Sequence, residues 1–163
     1  MTPWVIVAVA AGVIAAVLAG FYFAFSVTAR VLGRRADGGA ELDALNEAVE
    51  RPPFLTLFMA APVTAVVTAV WALPDGGVAA VLAGVGAVAM IVATVLTVAV
   101  NVPINRRLAE GRGRRGEPGG AVSGEEWSRL AARWCRSNDA RLALSVLGAL
   151  TLVLVPVLRL TGG

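Results

Sequence analysis

The chain has 163 residues, 58% of them apolar, with one cysteine, no histidine and a formal charge of +3 in which every cation is an arginine. A single cysteine excludes an intramolecular disulfide, and the lack of imidazole excludes a histidine-ligated haem and the usual zinc and non-haem iron sites. No carboxylate lies at depth in an apolar segment, so the residues predict no metal and no resident cofactor.

Four long segments read as membrane spans, at about 3–29, 53–73, 77–100 and 142–160. Arg141 and Arg159 flank most of the last one, where long side chains reach the headgroups. The expected fold is an all-α integral membrane four-helix bundle, a single domain over 1–163. Residues 1–29 lack a basic leading region and a small-residue cleavage site, and read as a retained first span rather than a secretory signal.

The arginines are unevenly placed. Arg30, Arg34, Arg35 and Arg51 fall in the first loop (about 30–52), and Arg106, Arg107, Arg112, Arg114, Arg115, Arg129, Arg133 and Arg136 in the third (about 104–139). The positive-inside rule puts both loops in the cytoplasm and both termini outside a cell membrane. The basic balance is therefore a topological signal, and no nucleic-acid partner is expected. The partners expected are the bilayer itself and a small aromatic ligand. The spans also lack the buried charges that ion pathways and proton relays need.

The first span carries Ala8, Gly12, Ala16 and Gly20 at four-residue spacing. Such a stripe lets a neighbouring helix approach closely, either inside the bundle or as a homodimer seam. At the end of this span, Phe21-Tyr22-Phe23-Ala24-Phe25-Ser26 puts Tyr22 and Ser26 one turn apart. They are an interfacial belt or line a pocket. In the first loop, Leu42, Leu45 and Val49 recur at helical spacing among acids, which predicts a short interfacial helix on the membrane surface. Asn46 lies beside that stripe and is expected to point over the bundle. Arg51-Pro52-Pro53 ends the helix and opens the second span.

Pro62 is expected to kink the second span, and Trp71 to anchor its outer end level with Trp4. Leu73-Pro74-Asp75-Gly76-Gly77 predicts a tight turn that makes spans two and three antiparallel neighbours. The third span ends in Asn101-Val102-Pro103-Ile104-Asn105, where Ala89, Ala93, Thr97, Asn101 and Asn105 share one i,i+4 face. Pro103 has no N–H, which leaves the Ala99 carbonyl without its helical donor. Helix capping and interhelical bonding account for these amides as well as a ligand site does, and both readings stay open.

A solvated loop is expected over 111–120, touching anionic headgroups. Ser123-Gly124-Glu125-Glu126 then has capping-box spacing and starts a helix that continues into the fourth span as its cytoplasmic extension. Trp127, Trp134, Asn138, Arg141, Ser145 and Gly148 fall on one face of it. Arg141 either snorkels outward or points inward with its fork of donors, and its neighbours Trp134 and Asn138 favour the inward direction.

Taken together, Phe23-Ala24-Phe25-Ser26, Asn46 before Pro53-Phe54, Asn101-Val102-Pro103-Ile104-Asn105, and Trp134 with Asn138 and Arg141 resemble the anthrone oxygenase-like family of small membrane proteins over nearly the whole chain. The resemblance implies a four-helix membrane bundle that oxidises anthrones to anthraquinones with O2, without metal or flavin. The chain departs from the pattern at Asp139, since a histidine often accompanies the asparagine that opens span four. The expected catalytic group is Arg141, Asn101, Asn105 and Asn138 as donors to a substrate oxygen, with Asp139, Glu47 or a Tyr22-linked water as base. Trp134, Asn46, Tyr22, Ser26 and Pro103 are expected to bind an aromatic polyketide or quinone. The alternative is a non-catalytic membrane protein that binds a lipid, a quinone or a partner through the same cluster.

Overall fold

A computed structural model describes residues 3–35, 38–113 and 122–161. Among these it is all-helical: α1 (Pro3–Leu32), α2 (Gly38–Val49), α3 (Phe54–Ala72), α4 (Gly77–Leu96), α5 (Val102–Gly113) and α6 (Gly124–Thr161). A 3-10 turn (Leu73–Asp75) joins α3 to α4, and a π turn (Thr97–Asn101) joins α4 to α5. Four helical segments are long and apolar enough to cross a bilayer: Pro3–Leu32, Phe54–Ala72, Gly77–Gly111 and Gly124–Leu160. The protein is a multi-pass membrane bundle. The order around it is α1, α3, α4, α6 and back to α1.

The core is built from small side chains. Ala11, Ala15, Ala61, Ala65 and Ala87 surround Leu18, Tyr22, Met90 and Leu152, while valines and leucines cover the outward faces. Lipid is as apolar as leucine, so association rests on close packing, and small residues supply it. A β-carbon at Gly12 would lie 2.5 Å from Val153 Cγ2, and one at Gly86 would lie 2.7 Å from Leu152 Cγ. These glycines set the approach of α1 and α4 to α6.

The four-residue stripe of α1 divides. Ala8 and Gly12 are buried against the bundle, but Ala16 and Gly20 face outward. Four residues overshoot one α-helical turn by roughly 40°, so a strict four-residue series drifts around the helix. The buried line instead runs Val5, Ala8, Gly12, Ala15, Ala19, Tyr22, Ser26 and Ala29.

At one end of the bundle, Gly76 and Gly77 both adopt φ of 64°, which only glycine takes without strain. The expected tight turn is present. Trp4, Trp71 and Arg159 gather at this same end, with Arg159 over the Trp4 ring and donating to the Trp71 carbonyl. α3 is continuous on both sides of Pro62.

The opposite, arginine-rich end differs from expectation in two ways. The helix expected in the first loop (α2) and the one expected to start near Gly124 (α6) are present, but α1 also runs on to Leu32 and α5 prolongs α4 where loop was expected. Of the loop expected over 111–120, residues 111–113 end α5 and 114–120 lie outside the described residues. α2 also does not leave its apolar stripe for lipid: Leu42 is fully buried among Leu32, Ile104, Leu108 and Trp127. The extended ends of α1, α5 and α6 offer it apolar protein surface, so α2 closes the bundle end. Ser123 Oγ caps the Glu126 N–H, but the Glu126 carboxylate pairs with Arg107 at 2.8 and 3.2 Å instead of completing the box.

Candidate functional site

The site begins with the π turn. The Val102 N–H donates to the Thr97 carbonyl, one residue beyond the α-helical partner. Pro103 follows immediately and has no N–H to give the ladder. The wider turn takes up the drift that divided the stripe on α1. Thr97, Asn101 and Asn105 therefore stay on one side, at the junction with α2, α3 and α6. Pro103 itself is exposed and is not among the residues that line the cavity.

On α6, the predicted face is buried along its length, from Trp127 through Trp134, Asn138, Arg141 and Ser145 to Gly148. Arg141 points inward and is 4% exposed. Its guanidinium lies 4.6 Å from the Tyr22 ring centroid and 5.7 Å from that of Trp134. Nη1 donates to Thr97 Oγ1 at 3.1 Å and Nη2 to Asn138 Oδ1 at 2.6 Å. With its amide turned to satisfy both ends, Asn101 accepts from Arg141 Nη2 at 3.1 Å and Trp134 Nε1 at 3.2 Å, and donates to Ser137 Oγ at 2.7 Å.

Two features set this cation apart. Among the described residues no carboxylate pairs with it, and its Nε–H has no hydrogen-bond partner. Burying a charge is costly unless it is paired and hydrogen-bonded. Aromatic faces and neutral oxygens offset part of that cost. An anionic oxygen would offset the rest.

Arg141 lines a cavity of about 300 Å³, at the lower edge of the volumes usual for small-molecule sites. Phe25, Phe54 and Phe58 make one wall, with the Phe54 and Phe58 rings nearly parallel at 13°. Thr97, Asn101, Val102 and Asn105 line it from the α4–α5 side, and Asn46, Val49 and Glu50 from the α2 side. It is a mostly apolar slot with a few convergent polar groups.

The sequence-predicted residues divide among three positions. Asn101, Asn105, Asn46, Trp134 and Arg141 all line the slot. Asn105 Oδ1 accepts from both Asn46 Nδ2 (2.9 Å) and Trp134 Nε1 (3.1 Å), which ties α2, α5 and α6 together. Arg141 lies over the Trp134 ring, and Phe25 meets that ring edge-on. Phe54 and Phe58, with nearly parallel rings, supply aromatic surface in the slot.

Asn138, Tyr22 and Ser26 lie behind the slot. Asn138 is completely buried and donates to the Tyr22 carbonyl (2.7 Å) and to Ser26 Oγ (2.6 Å) while it accepts from Arg141. It positions Arg141 and does not line the cavity. Tyr22 supports the guanidinium with its ring.

Asp139 points elsewhere. It accepts from Ser26 Oγ at 2.7 Å and pairs with Arg30 at 2.6 Å, away from the lining residues, so the expectation of a base there is not met by its position. Glu47 pairs with Arg51 at 3.9 Å. Sequence reasoning passed over Phe54, Phe58 and Glu50, although the i,i+4 pair of phenylalanines opening span two was a readable signal. Among the described residues, no three histidine, cysteine, aspartate or glutamate side chains converge as a metal site.

Fold and slot together define a multi-pass membrane protein with a small-molecule-sized site at one end of its bundle, closed by a buried arginine. The chain belongs to the anthrone oxygenase family, whose model matches residues 52–151. That match takes in α3 through most of α6, including Asn101, Asn105, Trp134, Asn138 and Arg141. No curated protein and no solved structure matches the chain.

Proposed function

We propose that the protein is a membrane-embedded, cofactor-independent oxygenase that converts anthrone-like polycyclic phenols to anthraquinones with O2. The observation that carries this reading is Arg141: a buried cation with no carboxylate partner among the described residues and an unused Nε–H, lining an apolar slot with an aromatic wall. A flat ring system lies between the phenylalanines and the Thr97–Asn105 wall, with its carbonyl oxygen toward Arg141. Removal of a ring CH2 proton sends the electron pair onto that oxygen, and the guanidinium with the Asn101 amide stabilises the charge that develops. The resulting carbanion forms a C–O bond with O2. The hydroperoxide then loses its remaining C–H proton as the O–O bond breaks, which leaves a second ring carbonyl and releases one water.

The alternative is a non-catalytic protein that holds a lipid, a quinone or a partner through the same cluster. The Asn46, Asn105 and Trp134 hydrogen bonds fit interhelical packing equally well. The spare donor of Arg141 does not.

The test is protein-dependent O2 uptake with an anthrone, above its spontaneous oxidation, for the wild type, Arg141→Ala and Arg141→Lys in detergent. Loss of uptake in both variants, with intact folding, supports the reading, because lysine lacks the planar fork. Uptake unchanged in Arg141→Ala would overturn it.

The same proposal sets the protein in a cell membrane with the arginine-rich end in the cytoplasm. Arg30, Arg34, Arg35, Arg51, Arg106, Arg107, Arg129, Arg133 and Arg136 belong to that end, against Arg159 at the other.

A further inference from the structure

The reaction read from the slot needs a base for the ring CH2 proton, and the two carboxylates singled out from sequence are engaged elsewhere: Asp139 with Arg30 and Ser26, Glu47 with Arg51. A third carboxylate is in place. Glu50 is the one acidic residue among the described lining of the slot, and no ion pair engages it among the described residues. Its backbone N–H donates to the Asn46 carbonyl at 3.0 Å, and the Asn46 side chain is bonded to Asn105 at 2.9 Å. Glu50 therefore directly follows the end of α2 that Asn46 ties to α5.

Glu50 also borders a second depression, of about 280 Å³, shared with Asp43, Glu47 and Arg106. Glu50, an exposed residue, thus borders both an apolar slot and a more polar depression. A base needs contact with the carbon acid and a route by which its proton leaves. Arg141, which would hold the developing oxyanion, lines the same slot from α6, and among the described residues no ion pair joins it to Glu50.

We propose that Glu50 is the catalytic base of this site. The ring C–H bond breaks, the proton goes to a Glu50 carboxylate oxygen, and the electron pair moves into the ring system and onto the oxygen held by Arg141. Glu50 then releases the proton to water in the second depression. This rests on the reading of the slot as an anthrone site, and the deprotonation itself requires no oxidant.

The step is measured without O2. Full-length protein in detergent is incubated anaerobically with an anthrone in deuterated water, deuterium entry at the ring CH2 is followed by NMR, and binding is followed by tryptophan fluorescence. The wild type is expected to accelerate exchange above background. Glu50→Gln is expected to lower that acceleration by about 100-fold or more, in the range general bases contribute, with binding retained. Glu50→Asp should recover part of it, and Asp139→Asn should exchange like the wild type. Glu50→Gln exchanging at the wild-type rate overturns the proposal while leaving the anthrone site intact. Wild-type protein that consumes O2 with an anthrone but never accelerates exchange also overturns it. Wild-type protein that neither binds an anthrone nor consumes O2 overturns the reading of the slot, and the role of Glu50 with it.

Discussion

Arg141 Nη2 lies 2.6 Å from the side-chain oxygen of Asn138, one turn earlier on the same helix, and Asn138 in turn grips α1 through the Tyr22 carbonyl and Ser26 Oγ. The orientation of the cation that lines the slot is thus fixed from behind by a residue that does not line it.

Asn138→Ala should disable the site without touching a ligand. It removes one hydrogen bond from each of three groups, and a buried group left unsatisfied costs about 1–3 kcal/mol. The thermal midpoint in detergent should fall, and anthrone-dependent O2 uptake should disappear. A midpoint and uptake both equal to the wild type would mean that Arg141 is held by its other contacts.

Asp139→Asn should have little effect. Its partner Arg30 is half exposed, and ion pairs of that kind contribute no more than about 1 kcal/mol. The amide oxygen still accepts from Ser26. Oxygen uptake near the wild-type rate is expected, and its abolition would return Asp139 to the catalytic group.

Asn105→Ala should loosen α2. Asn105 Oδ1 receives both the Asn46 amide and the Trp134 indole, so its removal leaves the Asn46 amide to find another partner and the indole with Asn101 alone. Amide hydrogen exchange over residues 38–49 should speed up, with α3 and α4 unchanged. Equal protection of α2 in the variant would show that Leu42 packing alone holds it.

Gly12→Val and Gly20→Ala form a contrasting pair. At Gly12 the β-carbon meets Val153 Cγ2 at 2.5 Å and the Val153 backbone nitrogen at 3.2 Å, whereas at Gly20 nothing lies within 4 Å. Overpacking at the first position should destabilise by about 1–3 kcal/mol. The second should leave the thermal midpoint unchanged or slightly raised, because alanine is the better helix former.

The orientation is testable by labelling. In a Cys135→Ser background, Gly76→Cys should react with a membrane-impermeant maleimide on intact cells, and Arg51→Cys only after lysis. The reverse pattern would invert the proposed topology.

Much of the architecture was legible because lipid imposes simple demands. A span needs about 20 apolar residues, and its backbone must bond within itself, so uncharged runs mark helices directly. The face of α6 that bears Trp134, Asn138 and Arg141 was equally readable, since helical spacing aligns them whatever surrounds them. The stripe on α1 was misleading for the opposite reason: four-residue spacing drifts unless a wider turn corrects it, and among the described residues only α4–α5 contains such a turn. Asp139 and Glu50 could not be ranked from the chain alone, because a carboxylate's availability depends on which arginine reaches it.

The sequence by itself determined four spans, the arginine-rich end and the set of polar residues gathered there, because hydropathy and charge act locally along the chain. Only the tertiary structure decided which of those residues line the slot, which brace it from behind and which lining carboxylate has no ion pair among the described residues. Those outcomes depend on contacts between helices: α1 reaching Asn138, α2 folding onto the ends of α5 and α6, and Arg30 meeting Asp139 from 109 positions away.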